Sequence, residues 1–182
     1  MKPQERLLDY NDYLKLPDDG KRYEIVEGEL FVAPAPNPVH QRVTRNLEFI
    51  LHKFVSEKNL GEIFFAPLDV ILGPHAIVQP DIIFISKERL NIIGEANIQG
   101  TPDLLIEVLS PSNKRMDLKT KLSLYEKYGV EEYWVVDPHE RFVTVFTLNN
   151  GNYRIFCNGA DDETITSHVI KGLEINLSQI WS

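Results

Sequence analysis

The segment TPDLLIEVLSPSNKRMDLKTK, Thr101 to Lys121, joins an apolar strand to a helix through a Ser-Pro-Ser-Asn turn. Asp103 to Leu109 is apolar at nearly every position, as expected of a strand covered on both faces. Glu107 interrupts it. A carboxylate in a core strand costs several kcal/mol unless a partner or ligand compensates it, so Glu107 is the residue to explain. The helix that follows, about Met116 to Tyr128, carries Asp117 and Lys121 one turn apart. Its period sets Leu118, Leu122, Tyr125 and Tyr128 towards the core and Lys121 opposite them or at their edge. Gly129 ends it.

Upstream, Val78 to Ser86 contains Pro80-Asp81 and then Ile82 to Ile85, a second doubly covered strand. Lys87 to Gly100 reads as a polar connection with room for one helical turn. Val43, Leu47, Ile50, Leu51, Phe54 and Val55 form one stripe, predicting a helix over about Val39 to Lys58 that ends at Asn59 and Gly61. Asp9 to Leu16 is a short capped turn of helix, and Arg22–Val26 and Glu29–Ala33 form a hairpin around Glu27-Gly28. Ile63 to Ala66 and Asp69 to Leu72 are strands split by Pro67. Downstream, Glu132–Val136 and Arg141–Leu148 pair across a turn, and Tyr153–Cys157 follows Asn149-Asn150-Gly151. Thr164–Ile170 and Leu173–Ile175 are weaker strands before a helical end, Leu177 to Trp181. This order predicts one α/β (α+β) domain over residues 1–182, a mixed sheet flanked by helices with hairpins added towards both ends.

The chain has 182 residues, 43% of them apolar, enough for one core. No apolar run approaches the length of a membrane span, and no secretory leader is expected. A single cysteine, Cys157, excludes an internal disulfide and thiolate zinc, which fits a reducing cytoplasm. The net charge of −8 argues against broad nonspecific attraction to nucleic acid. The basic residues do cluster locally: Lys114, Arg115, Lys119, Lys121 and Lys127.

If the strands bearing Asp81 and Glu107 are neighbours, the two carboxylates can share one hard cation. Mg²⁺ is commonly held by one or two carboxylates plus water and phosphate oxygens. Such an ion polarises a phosphate and activates water, and a nearby lysine stabilises the developing charge. Lys121 is the candidate lysine. Asp103 shares the Glu107 strand face and is a supporting candidate.

Pro80-Asp81 and Glu107-Val108-Leu109 resemble the strand pair of the PD-(D/E)xK nuclease superfamily, and the chain is similar to its Uma-two family of restriction-endonuclease-like proteins. The matching pieces run from Tyr23 to Leu30 through His40, Pro80-Asp81 and Pro102 to Ser112. They continue with Asp117, Lys121, Tyr125, Gly129-Val130, Glu132-Tyr133-Trp134 and Val136-Asp137. One departure stands out: the superfamily lysine belongs two residues after Glu107, where this chain has Leu109. The resemblance implies that Lys121 supplies it from the following helix. It further implies a restriction-endonuclease-like fold, Mg²⁺ or Mn²⁺ on Asp81 and Glu107, a DNA substrate and a homodimer. Glu24 and His40 match family positions; Glu24 could complete a metal sphere and His40 could position water or phosphate. Lys114, Arg115 and Lys119 are candidate phosphate contacts.

Plainer readings stand beside these. Glu107 could be a structural carboxylate satisfied by a core lysine or tyrosine, and Asp81 a strand-initiating residue bonded to backbone amides. Asp117 and Lys121 could form an exposed helix ion pair. A nuclease fold kept as a binding module without catalysis is the alternative function.

Overall fold

A computed structural model describes residues 6–33, 35–110 and 116–182, with 116–118 as backbone only. In chain order the elements are α1 (Tyr10–Tyr13), β1 (Arg22–Val26), β2 (Glu29–Ala33), α2 (Pro38–Lys58) and β3 (Gly61–Phe65). Then come β4 (Val70–Gly73), β5 (Ala76–Val78), β6 (Ile82–Ser86), a 3₁₀ turn (Lys87–Ile92), β7 (Ile98–Gln99) and β8 (Leu104–Val108). A π-helical turn (Met116–Lys121) leads into α3 (Leu122–Lys127), followed by β9 (Glu132–Asp137), β10 (Phe142–Asn149) and β11 (Asn152–Ala160). The last elements are β12 (Thr164–Thr166), β13 (Glu174–Asn176) and α4 (Ser178–Trp181).

The six-stranded sheet has the order β11-β10-β9-β8-β6-β3 and is mixed, because β8 and β9 run parallel while its other pairs are antiparallel. Alternation along its middle strands explains their apolar runs. Ile82, Phe84, Leu104 and Ile106 pack with Val43, Leu47, Leu51 and Val55 of α2. Ile83, Ile85, Leu105 and Leu109 face the other way, onto Leu124, Tyr125 and residues of a second sheet. Both faces are covered, so neither strand has a polar side.

That second sheet, β2-β1-β5-β4-β7, is where the fold departs from the expected single mixed sheet. Val78 to Ser86 is not one strand. Val78 closes β5 in the second sheet, Ile82 opens β6 in the first, and Gln79-Pro80-Asp81 crosses between them. Pro80 has no N–H for a ladder and breaks the run. Ile98–Gln99, expected within a polar connection, pairs parallel to β4. Thr164–Ile170 stops as a strand at Thr166, because the backbone of His168 and Val169 turns onto the Glu132 carboxylate. Elsewhere the elements follow the pattern. Glu27 (φ 53°) and Gly28 (φ 81°) make the tight turn of the first hairpin, and Asn59 (φ 53°, ψ 47°) caps α2 in the left-handed region.

Candidate active site

Asp81 sits at the crossing between sheets, held through its carbonyl by the amide of Ala66 at 3.1 Å. β6 and β8 pair Ile82 with Ile106 in antiparallel register, and one step further sets Asp81 opposite Glu107. The expected adjacency of the two strands is present. Asp81 Oδ2 accepts from the amide of Val108 at 2.8 Å and lies 3.0 Å from His40 Nε2. Its Oδ1 is 3.6 Å from Arg22 Nη1. Burial pushes the Asp81 carboxyl up, but the His40 bond and charge, the Val108 amide and Arg22 outweigh it and hold it below the usual carboxylate value.

Glu107 has a separate set of partners. Its Oε1 accepts from Lys121 Nζ and from Tyr125 Oη, both at 2.7 Å. Lys121 Nζ also reaches Glu24 Oε1 at 3.1 Å, and that oxygen accepts from the amide of Gln79 at 2.8 Å. Glu24, Glu107 and Lys121 are each no more than 3% exposed. Burial, with Glu107 and Glu24 nearby, keeps the Tyr125 hydroxyl well above its ordinary value, so it remains a donor.

Lys121 is therefore neither opposite the core nor part of an exposed ion pair. The period of 3.6 misplaces it because Met116–Lys121 is π-helical, with hydrogen bonds spanning five residues. The plainer readings of both carboxylates also have their contacts here: Glu107 takes a lysine and a tyrosine, and Asp81 a backbone amide.

Beside Asp81 lies a cavity of about 290 Å³ whose lining includes Arg22, His40, Thr44, Arg45 and Phe65. Buried His40 comes from the first turn of α2, where Asn37 accepts its amide, and Thr44 Oγ1 lies 3.4 Å from its Nδ1.

Asp103 does not join this group. Its carboxylate accepts from the amide of Ser86 at 2.8 Å and from Arg89 at 3.2 Å, at the far end of β8. Lys119 is exposed. Lys114 and Arg115 lie outside the described residues, as does the side chain of Asp117. Two participants were missed as site residues. Arg22 shares a strand face with Glu24, two residues on, and Tyr125 follows Lys121 by four; both spacings were readable. The amides of Val108 and Gln79 had no sequence signal.

The two carboxylates suit a hard cation, since Mg²⁺ needs no more than one or two of them with water and phosphate. Among the described residues, no three His, Cys, Asp or Glu side chains gather as a closed metal cage. An ion there would depend on water and substrate oxygens for the rest of its sphere.

The model of the family Uma2, described as "Putative restriction endonuclease", matches residues 10–178. The chain belongs to the Uma2 family. Its fold is that of a crystal structure from Anabaena variabilis described as a "putative nuclease belonging to DUF820". The two share 21% identity and a TM-score of 0.78, over 96% of this chain and 97% of that one. An uncharacterised protein of Synechocystis, sll1609, is 24% identical over 135 residues, 72% of this chain and 76% of that protein. The exocyst complex protein EXO70 of Candida albicans is 22% identical over 165 residues, 88% of this chain. This chain spans 23% of that protein's length. The resemblance to Uma2 read from the motifs and the restriction-endonuclease-like α/β architecture both hold.

Proposed function

We propose that this Uma2 protein is a metal-dependent endonuclease hydrolysing phosphodiester bonds in DNA. The observation that carries this reading is Lys121, buried and donating to Glu107, although Leu109 occupies the strand position two residues after that glutamate. A helix-borne ammonium beside the acidic strand serves the same electrostatic end as a strand-borne one. Mg²⁺ or Mn²⁺ held by Asp81 and Glu107 would polarise the phosphate and activate a water.

In hydrolysis the water oxygen bonds to phosphorus, the bond to the leaving sugar oxygen breaks, and that oxygen takes up a proton. Lys121 neutralises charge gathering on the phosphate, while Glu24 and Tyr125 fix the directions of Lys121 and Glu107. Arg22 and His40 line the cavity and hold phosphate or water at Asp81. Cutting both strands of a duplex would require two such sites, most simply in a two-fold homodimer. The lone Cys157 suits a reducing, cytoplasmic setting.

The test is Mg²⁺-dependent nicking of supercoiled plasmid. Glu107→Gln, which preserves shape and an acceptor for Tyr125, is expected to lower the rate by at least about 100-fold, an increase of roughly 2.7 kcal/mol in the barrier. Equal nicking by parent and variant would sink the assignment.

A second reading is a nuclease-fold binding module without catalysis. It is favoured by the donors already on Glu107 Oε1 and by the lack of a three-ligand cage among the described residues. Calorimetric titration separates the two: a module takes up no Mg²⁺ that depends on Asp81 and Glu107.

A further inference from the structure

We infer that the cavity beside Asp81 is a subsite for one unpaired nucleotide, its phosphate held by Arg22 and its base stacked on Phe65. This rests on the reading of Asp81 and Glu107 as a phosphodiester-cleaving centre and adds the form of the strand that reaches it.

Phe65 ends β3 and is 60% exposed, whereas Ile63 and Phe64 before it pack into the two cores. Register sets Phe65 opposite Ile82, and the Ala66 amide bonds the Asp81 carbonyl. The ring therefore stands one residue from the candidate catalytic carboxylate, in the wall of the same cavity. An aromatic face there has no role in the core, and every nucleobase can stack on one.

Arg22 supplies the complementary half. Its Nε is buried and has no hydrogen-bond partner among the described residues, while its Nη1 faces Asp81 at 3.6 Å. A buried N–H without an acceptor is costly, and the guanidinium fork matches phosphate oxygens. Gln41 and Thr44 add polar groups to the wall.

The cavity volume of about 290 Å³ is at the low end of small-ligand sites, which suits one base with its phosphate rather than a stacked pair. A duplex would have to expel a base to fill it, at a cost of unstacking and unpairing; a single strand would not. The net charge of −8 points the same way, since it disfavours a long electrostatic footprint on duplex.

The experiment is fluorescence anisotropy with the full chain in EDTA, so that binding is read without cleavage. The probes are labelled single-stranded DNA of about 12 nucleotides, RNA of the same sequence, and the DNA duplex. Phe65→Ala and Phe65→Leu are expected to weaken single-strand binding roughly 5- to 100-fold, while Phe65→Trp stays within about two-fold of the parent. Duplex affinity should not change. The ratio of the DNA and RNA arms identifies the sugar. The subsite is overturned if Phe65→Ala or Phe65→Leu binds single strands like the parent, or if duplex affinity falls in parallel. Plasmid nicking by parent and Glu107→Gln is run alongside. Phe65-dependent binding without Glu107-dependent nicking would keep the subsite and remove the nuclease reading. Nicking without Phe65-dependent binding would do the reverse.

Discussion

Glu107 on β8 and Glu132 on β9 are both buried carboxylates on paired strands, but the groups facing them differ in kind. Glu132 is fully buried and, among the described residues, its hydrogen-bond donors are neutral: Trp134 Nε1 and Ser167 Oγ on Oε1, and the amides of His168 and Val169 on Oε2. Burial pushes its carboxyl above the usual value, against those four hydrogen bonds. It fastens the 167–169 turn to the central sheet and needs nothing from outside. Glu107 instead shares an ammonium with Glu24, opposite Asp81 and its arginine-lined cavity. A charge held by neutral groups of the chain is an anchor. A charge held by a buried ammonium and a tyrosine hydroxyl is the one the proposed cation site would draw on.

The largest expected effect removes the charge that Glu24 and Glu107 share. Lys121→Met leaves two buried carboxylates facing an apolar side chain, and should cost about 3–5 kcal/mol at neutral pH. If a divalent cation binds there, Mg²⁺ will raise the variant's melting temperature more than the parent's. Equal shifts would show that Glu107 does not hold the ion.

Glu132→Ala should follow, at about 3 kcal/mol, because it strips the acceptor from four donors, two of them buried. Urea unfolding measures this, and nicking per folded molecule should be retained. A specific loss of nicking in folded Glu132→Ala would erase the distinction between anchor and site.

The pH responses of the two regions should have opposite signs. Glu132 has a raised folded value, so its contribution is fully present below the unfolded value of about 4.5 and is lost as pH rises through the folded one. Compared with Glu132→Gln, the parent should therefore lose ground with rising pH. Asp81 is held below 3.8, so its contribution is present above that value and disappears as pH falls through the folded one. The parent's advantage over Asp81→Asn should shrink in acid. Urea midpoints across pH for the three proteins check both, and parallel profiles would contradict the assignment of either group.

The contrast between these two glutamates also marks what was legible in the sequence. Glu107 stood out because an apolar run surrounds it, and Asp81 because it follows a proline at the head of another. Glu132 did not stand out: it opens its strand, where a charge is ordinary, and its partners come from the 167–169 backbone, which no side-chain pattern encodes. The strands, the long helix and its cap followed from periodicity and turn chemistry. Lys121 was readable as the candidate lysine one turn from Asp117, but the 3.6-residue period set it opposite the core residues or at their edge, because a π-helical turn has no sequence period of its own. The division into two sheets was hidden for a similar reason. Val78 and Ile82 look like parts of one strand until tertiary pairing assigns them to different sheets.

The smallest effect sharpens the boundary of the site. Asp103 lies four residues from Glu107, and at about 3.3 Å per residue the two are roughly 13 Å apart along the strand. Its carboxylate holds the amide of Ser86 and the partly exposed Arg89. Asp103→Asn keeps one oxygen for the amide and gives up the charge on Arg89, a loss of about 1 kcal/mol after solvent screening. Nicking should stay within about two-fold of the parent, since the bond to Ser86 secures the far end of β8 and not the end that carries Glu107. A larger loss of rate with stability unchanged would mean that the acidic site extends the length of the strand, and that its contrast with the Glu132 anchor is one of degree.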